Sequence, residues 1–399
     1  MEQKQPAIEI RKVEQFLANV NVLAELGQSK PKIDILKAYR GFGGLRQCFN
    51  SKQLYGMLMR EIRHNFGKER EHEVFNTLRQ SCKSAYYTPK EIISFMYRYL
   101  IDVCNFKGGE ILEPACGSGA FFEYMPDSIK SGSNVTGVEM DILTSKLARA
   151  SYPEIKIMNQ KIQDVDFTGK QYDLIIGNPP FSDEVITDEA MPDISGYTIH
   201  HYFIAKCVRL LKDDGILAFV LPSCYMDIPR KNTRAIVDNE AVLIDAVRLP
   251  DNLFEQATVT VDIVFIRKTG QKLHNFVDTV ELVQDGNKDS INQYWQNRPQ
   301  RILGELKLKW VEVYKRYVPT CTAEDTQKVL DCLASCQFDQ ATKDNFNAIT
   351  FKRLEPVTVH YKLQQLKAGI AALSDANLVN LAGELAKLTV LTDEVIATI

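Results

Sequence analysis

The sequence predicts an α/β protein built on an open sheet between residues 110 and 267, with helical regions before and after it. Short apolar runs alternate through this span with amphipathic stretches whose apolar residues recur at helical spacing. The run at 173–176 is continuously apolar after its first residue and stops at a glycine and two prolines, which suits a strand covered on both faces. Strands are expected at 110–113, 134–138, 155–158, 173–176, 215–222, 242–248 and 260–266.

Composition limits the classes of protein to consider. The chain has 399 residues and a net charge of -3, so two or three domains are expected and any nucleic-acid contact must use local patches. Its nine cysteines contain no Cys-x-x-Cys pair, which favours neither a zinc ribbon nor a disulfide framework and makes a reducing cytoplasm the expected location. No signal core and no run of about 18 apolar residues occur, so neither export nor membrane insertion is expected.

Three regions are expected: helical residues 1–80, the sheet domain at 81–270, and a mostly helical C-terminal region at 271–399. In the first region, the glycine-rich stretch 40–44 is interpreted as a helix-helix corner rather than a turn that brings backbone close to a ligand. The basic run at 60–83 is interpreted as a solvated helix face. His200 and His201 are expected to pack or cap rather than bind a metal.

Three stretches after the fourth predicted strand are possible contact surfaces. Residues 182–197 are acidic and without periodicity, which predicts a mobile loop. Aromatics and cations alternate at 295–316, and a helical core is favoured there over stacking on nucleic acid. A leucine stripe at 363–385 predicts a helix that packs on the domain or on a partner protein.

The turn after the fourth predicted strand carries a possible catalytic group. Asn178 offers an amide oxygen and Pro179 a carbonyl, and together they could accept the two hydrogens of an amino group. Phe181 could then stack on a flat ring. Read without its context, the stretch that also includes Pro180 is simply a turn.

Three further turns follow predicted strands at the same edge of the sheet. Gly117 and Gly119 let backbone amides approach a ligand, and the helix that opens near Gly119 would offer its positive end to a carboxylate. The missing third glycine disfavours NAD. Glu139 either binds ribose hydroxyls or caps the next helix, and polar residues at 160–164 could read an adenine edge. Ligands of open α/β sheets lie at this edge, so these turns predict one crevice.

The order of three motifs makes the chain resemble the N6-adenine DNA methyltransferases that use S-adenosylmethionine. The motifs are Tyr-Tyr-Thr-Pro at 86–89, Glu-Pro-Ala-Cys-Gly-Ser-Gly at 113–119 and Asn-Pro-Pro-Phe at 178–181. Residues 33–305 are similar to the methyltransferase portion of large helicase-methyltransferase fusions carried by phages and plasmids. The chain has no Gly-x-x-x-x-Gly-Lys-Ser/Thr loop, so the resemblance implies only the methylating half.

The resemblance implies a Rossmann-like methyltransferase sheet with helices on both faces, double-stranded DNA as substrate and no metal. It implies a catalytic set of Asn178, Pro179, Pro180 and Phe181. The implied cofactor-binding set is Tyr87, Thr88, Pro89, Glu113, Pro114, Ala115, Cys116, Gly117, Gly119, Glu139, Met140, and Gln163 or Asp164 or both. Loops at 182–197, 225–235 and 270–316 are candidates for reading the target sequence.

Two alternative functions stay open on the sequence. RNA and protein-glutamine methyltransferases carry the same kind of Asn-Pro-Pro-aromatic turn. The chain could also be a non-catalytic cofactor-binding or DNA-binding subunit of a mobile-element or defence complex.

Overall fold

The computed structural model describes residues 9–82, 87–229, 232–254, 259–269, 278–312 and 314–349. Its centre is a seven-stranded sheet in the order β3-β2-β1-β4-β5-β7-β6. The strands are β1 (Glu110–Glu113), β2 (Asn134–Val138), β3 (Lys156–Met158), β4 (Tyr172–Gly177), β5 (Leu211–Pro222), β6 (Ala241–Leu249) and β7 (Val261–Lys268). The predicted open α/β sheet is therefore confirmed, with each strand within a few residues of its expected position.

The strand order creates a crevice at one edge of the sheet. β1 pairs in parallel with both β2 and β4, so the chain leaves β1 towards one side and later returns to pair on its other side. β7 is antiparallel to both β5 and β6. Connections that diverge from neighbouring parallel strands leave a gap beyond their carboxyl ends, and this is where ligands bind in such folds.

Both faces of the sheet are covered by helices, because successive side chains of a strand point to opposite faces. Ile111 belongs to an apolar cluster with α5 (Lys90–Asp102), whereas its neighbour Leu112 belongs to a second cluster with α9 (Ile199–Leu210). The other helices between the strands are α6 (Ala120–Glu123), α7 (Asp127–Lys130), α8 (Ile142–Ser151), α10 (Cys224–Asp227) and α11 (Asn232–Asp238).

The N-terminal region is helical and has its own core. Its helices are α1 (Ile10–Leu26), α2 (Ile33–Leu36), α3 (Lys52–Phe66) and α4 (Glu71–Ser81). Phe16, Leu23 and Leu58 are buried in this core together with Leu143 and Leu147 of α8. The region therefore packs on the helix that follows β2, close to the open edge of the sheet.

The C-terminal region was expected to be mostly helical, but residues 279–322 form two antiparallel hairpins. These are β8 (Thr279–Gln284) with β9 (Asn287–Asn292) and β10 (Glu305–Val311) with β11 (Arg316–Thr322). Asp285 and Gly286 join β8 to β9 with φ angles of 52° and 78°. An Asp-Gly pair with two positive φ angles is a strong hairpin signal.

Short helices connect and follow the hairpins. They are α12 (Gln293–Asn297), α13 (Thr326–Ser335) and α14 (Gln340–Ala348). The leucine stripe at 363–385 lies outside the described residues. In the part of the chain that is described, no helix is both long and apolar enough to cross a membrane.

A buried ion cluster ties the first hairpin to the sheet. The Arg248 guanidinium donates to Asp262 at 2.8 Å and lies 2.7 Å from the Asp227 carboxylate, and its carbon sits 4.4 Å from the centre of the Trp295 ring. Asp227 in turn accepts a hydrogen bond from the backbone N–H of Asn292, the last residue of β9. Trp295 is therefore a core residue, whereas Trp310 and Tyr314 of the second hairpin are exposed.

Candidate active site

The open edge of the sheet holds a cavity of about 570 Å³, within the range of small-molecule sites. Residues following β1, β2, β3 and β4 line it, as do Tyr87 and Thr88, which precede α5. The cavity-lining members of the predicted set are Tyr87, Thr88, Glu113, Pro114, Ala115, Cys116, Gly117, Glu139, Met140, Gln163, Asn178 and Pro180. The cavity thus joins three motifs that are up to 90 residues apart in the chain.

The turn after β4 is oriented by Thr88. Asn178 donates a hydrogen bond from Nδ2 to the Thr88 hydroxyl at 3.0 Å, which sets the rotation of the carboxamide. Pro180 lines the cavity. Phe181 is half-buried, packs against the apolar cluster that contains α5, and is not among the described cavity-lining residues; nor is Pro179. Pro89 is the N-cap residue of α5 and also lies outside the lining.

The glycine turn after β1 uses its two glycines differently. Gly117 has φ of 54°, and an added Cβ would meet nothing within 4 Å among the described atoms, so its backbone faces open space. At Gly119, with φ of 96°, an added Cβ would lie 2.5 Å from the Tyr152 ring. Gly119 is therefore required for packing and Gly117 for backbone approach. The α6 helix that follows has only four residues, so its end offers little of the expected charge for a carboxylate.

Cys116 is a packing residue within this turn. It is buried, and its backbone N–H donates to the Val138 carbonyl at 2.9 Å, which joins the turn to β2. Burial raises the pKa of its thiol well above the usual range, and Glu113 and Glu139 raise it further. The thiol is therefore protonated at neutral pH and is a poor nucleophile.

Glu139 lies at the end of β2 and holds the two turns together. Its carboxylate accepts hydrogen bonds from the Gly117 N–H at 2.9 Å and from the Asp141 N–H at 2.7 Å. Burial raises its pKa to about 7, and the nearby Asp141 adds to the shift. The cap of α8 is Asp141, whose side chain accepts from the Thr144 N–H at 3.2 Å, so Glu139 is not the helix cap.

Glu113 ends β1 and is almost fully buried. Its Oε2 atom accepts no hydrogen bond from any residue that the structure describes. Burial raises the pKa of this carboxyl well above its usual range, and Glu139 raises it further. A Cβ added at Gly177 would lie 3.4 Å from Glu113 Cγ, so the carboxyl sits beside the residue that precedes Asn178. The charged form of this buried carboxyl is stable only if a polar group, such as one from a ligand, donates hydrogen bonds to it.

The turn after β3 contains Gln163 and Asp164, the two candidates for contact with the adenine of the donor, and only Gln163 lies in the cavity. Gln160, Lys161 and Gln163 line the cavity. Asp164 is exposed and is not among the described lining residues. The Asn159 side chain donates to the Glu139 carbonyl at 2.8 Å and thereby joins this turn to the end of β2.

Sequence reasoning missed the contribution of the N-terminal region. Tyr39, Gly41, Phe42 and Gly43, together with Leu78, Gln80 and Cys82 of the α4 end, line the cavity. The helix-helix corner favoured for residues 40–44 is therefore the less apt interpretation, since the stretch brings backbone to the site. Its three glycines were the available signal, and only the tertiary fold shows what they approach.

The loop at 182–197 has a buried anchor, in contrast to the mobile loop that its composition predicts. Asp188 accepts from Lys206 Nζ at 2.7 Å and from the hydroxyl of Tyr202, and it caps the backbone N–H of Ala190 at 2.9 Å. Burial raises the pKa of Asp188, but Lys206 and Tyr202 outweigh it and leave the pKa below its usual value. The acidic loop is thus pinned to α9 by a charge pair in the interior.

Most cations of the 298–316 stretch have a partner within the protein. Arg301 lies 2.6 Å from Asp245, Lys309 lies 3.5 Å from Asp251, and Arg298 stacks on Tyr294. Lys307, Lys315 and Arg316 pair with Glu305, Glu312 and Asp289. The positive charge of this surface is therefore largely compensated, and a phosphate-binding patch gains no support from it.

The two adjacent histidines are packing residues. Both are buried, and burial lowers the pKa of His200 to about 4 and that of His201 to about 3, so both rings are neutral at pH 7. Among the described residues, no three His, Cys, Asp or Glu side chains are grouped as a metal site would require.

The fold and the cavity define a class of proteins with an open α/β sheet that bind a ligand beyond β1, β2 and β4. Residues 63–349 match the model of the family described as N-6 DNA Methylase, and the chain belongs to that family.

The chain is also similar to several named proteins. The Type II methyltransferase M.CvrRI of Paramecium bursaria Chlorella virus XZ-6E is 30% identical over 204 residues, 49% of this chain and 52% of that protein. The release factor glutamine methyltransferase of Fusobacterium nucleatum is 35% identical over 132 residues, 27% of this chain and 36% of that protein. A type I restriction-modification methyltransferase subunit from Streptococcus thermophilus has a TM-score of 0.44 and 14% identity, over 84% of this chain and 76% of that one. The chain spans about half or less of the length of the curated relatives that it matches first.

Proposed function

We propose that this chain is an S-adenosylmethionine-dependent DNA methyltransferase that methylates the exocyclic N6 amine of adenine. The observation that carries the proposal is the single cavity shared by Asn178, Glu113, Gly117 and Glu139. A methyl transfer of this kind needs the amine that receives the methyl group and the methyl donor to lie side by side. Residues proposed to contact each of them line this one cavity. Membership of the N-6 DNA Methylase family supports DNA as the substrate.

The residues present fit the donor. The buried Oε2 of Glu113 suits the ammonium of the methionine part, the open backbone at Gly117 admits its chain, and Glu139 suits a ribose diol. Gln163 is proposed to face the adenine of the donor in preference to Asp164, because only Gln163 is among the lining residues. When bound, S-adenosylmethionine supplies a methyl group activated by its sulfonium.

The turn at 178–181 would orient the amine. The lone pair of an exocyclic amine is delocalised into the ring, so two acceptors that hold both N–H bonds localise it for attack. Asn178 offers its side-chain oxygen, because its Nδ2 end is directed at Thr88, and the Pro179 carbonyl is the second acceptor. A base within duplex DNA cannot reach the cavity, so the target adenine must be flipped out. Phe181, which packs against the α5 cluster and lies outside the described lining, would have to turn towards the cavity to stack on it.

A second candidate function is methylation of an amide or amine in protein or RNA. It is favoured by the likeness to the release factor glutamine methyltransferase, which extends over about a quarter of this chain. Two proposals have lower rank. That the chain is the methylating half of a helicase fusion rests on sequence resemblance alone, and that a protein partner contacts residues 271–399 rests on the sequence pattern of that region alone.

The test is to express the chain in a host that lacks DNA methylation and to sequence the DNA with a single-molecule method. N6-methyladenine in one sequence context is expected, and Asn178→Ala should abolish it while binding of S-adenosylhomocysteine changes by less than about twofold, because Asn178 serves the amine and not the donor. A second measurement incubates the protein with methyl-labelled S-adenosylmethionine and a cell lysate. Label recovered in protein or RNA, with none in DNA, would refute DNA as the substrate and support the second candidate.

A further inference from the structure

The loop at 40–44 in the N-terminal region touches the cavity but has no role in the function proposed above. Gly41, Phe42 and Gly43 are buried and line the cavity. Gly41 and Gly44 have φ angles of 68° and 70°, a conformation that is unfavourable for residues with a Cβ atom. Successive backbone N–H groups in a turn can form a concave nest that binds anions, and residues 42–44 lie in a bend and turn.

The amides of this loop are unused by the protein itself. The N–H groups of residues 41–44 donate no hydrogen bond to any residue that the structure describes. Buried backbone donors are nearly always paired, because an unpaired one loses its hydration without compensation. Gly41, Phe42 and Gly43 therefore offer unused backbone donors to a group that enters the cavity.

The loop is held in place by one buried side chain. Asn19 of α1 accepts from the Arg40 N–H at 2.9 Å and donates to the Gly41 carbonyl at 2.5 Å, as a paired peptide group would. The face of Gly41 meets the Tyr87 ring, where an added Cβ would lie 2.4 Å from Cε2. The Tyr87 hydroxyl accepts from Ser118 of the glycine turn at 3.4 Å. The loop thus lies across Tyr87 from the turn that the donor would approach.

Charge in the cavity indicates what the loop can bind. Lys161 is the one cation among the described residues that line the cavity, and it belongs to the turn after β3, at the end proposed for adenine. Near the glycine turn the charged side chains are Glu113 and Glu139. The one-turn α6 offers no substantial helix charge. The charged side chains at this end are therefore acidic, so a carboxylate placed here would be bound by uncharged donors, and the backbone N–H groups of residues 41–44 are among these.

We propose that the backbone amides of residues 41–44 bind the α-carboxylate of the methionine part of the donor, so that the N-terminal region completes the cofactor site. The inference rests on the proposed function, because it takes S-adenosylmethionine as the ligand. It divides the zwitterion between two elements, with the ammonium at Glu113 and the carboxylate at the loop. The N-terminal helices are then part of the donor site as well as a cover over α8.

The first test is hydrogen-deuterium exchange of the whole chain, read on a peptide that covers 39–45. S-adenosylhomocysteine should slow exchange of these amides by about tenfold or more, since exchange requires a free N–H. Its decarboxylated analogue keeps the adenosine and the ammonium and lacks only the carboxylate, so it should leave their exchange unchanged. Equal protection by both ligands, or by neither when both are bound, would overturn the inference.

The second test compares two asparagine variants by calorimetric binding. Asn19→Ala should weaken the binding of S-adenosylhomocysteine by about tenfold, a loss typical of hydrogen bonds to a charged group. The affinity for the decarboxylated analogue should change by less than about twofold. Asn65→Ala is the matched control, because Asn65 likewise donates to a backbone carbonyl of this region, that of Leu23, but does not touch the loop. Equal losses for both ligands in Asn19→Ala would show that Asn19 only supports folding. If the wild type binds neither ligand, the proposed function fails, and the inference with it.

Discussion

The raised pKa of Glu139 makes donor binding dependent on pH. In the absence of ligand this carboxyl has a pKa of about 7, because it is buried and close to Asp141. A ribose diol would donate two hydrogen bonds to the ionised form, so the pKa falls in the complex and binding takes place to the carboxylate. Affinity is therefore complete well above pH 7 and is lost as the pH falls through 7.

The size of the effect follows from the ionised fraction. For a pKa of about 7, roughly nine-tenths of Glu139 is ionised at pH 8 and roughly one-tenth at pH 6. The Kd of S-adenosylhomocysteine should therefore rise about tenfold between these two values, close to 1.4 kcal/mol. Calorimetric titrations at half-unit intervals would measure it.

Two variants make the assignment specific. Glu139→Gln should bind about as weakly as the protonated wild type at every pH between 6 and 8, because it cannot ionise. Glu113→Gln should keep the slope, because Glu139 can still ionise in that variant. A flat profile in the wild type, or a slope that survives in Glu139→Gln, would refute the reasoning.

Two further predictions concern orientation and stability. Thr88→Val removes the acceptor of the Asn178 amide and should lower kcat about tenfold with little change in KM for the donor, whereas Thr88→Ser keeps the hydroxyl and should restore most of the rate; a KM effect alone would contradict the orienting role. Lys206→Met leaves the buried charge of Asp188 without its cation and should lower the free energy of unfolding, measured in urea, by about 3–5 kcal/mol. Lys130→Met breaks an exposed pair of the same 2.7 Å length and should cost less than about 1 kcal/mol, so equal losses would show that burial does not set the difference.

The sequence by itself determined the sheet and the edge at which the site lies. Strands covered on both faces must be continuously apolar, and polar residues after parallel strands must meet at one edge. The sequence alone therefore predicts that the turns at 117, 139 and 178 share one crevice. The motif order then indicated the family to which the chain belongs. These inferences succeeded because they rest on local patterns and on the direction of parallel strands.

The tertiary structure alone decided which distant groups meet. Gly41 and Tyr87 are 46 positions apart, Asn178 and Thr88 are 90 apart, and no local pattern specifies either contact. A helical core was expected at 295–316 because interleaved aromatic and basic residues suit both helices and strands, and strand pairing decided for a hairpin at 305–322. The apparent basic surface at 298–316 was likewise compensated by acids such as Asp245 and Asp251, which come from the sheet domain. Charge pairing depends on distance in space, which the order of residues does not contain.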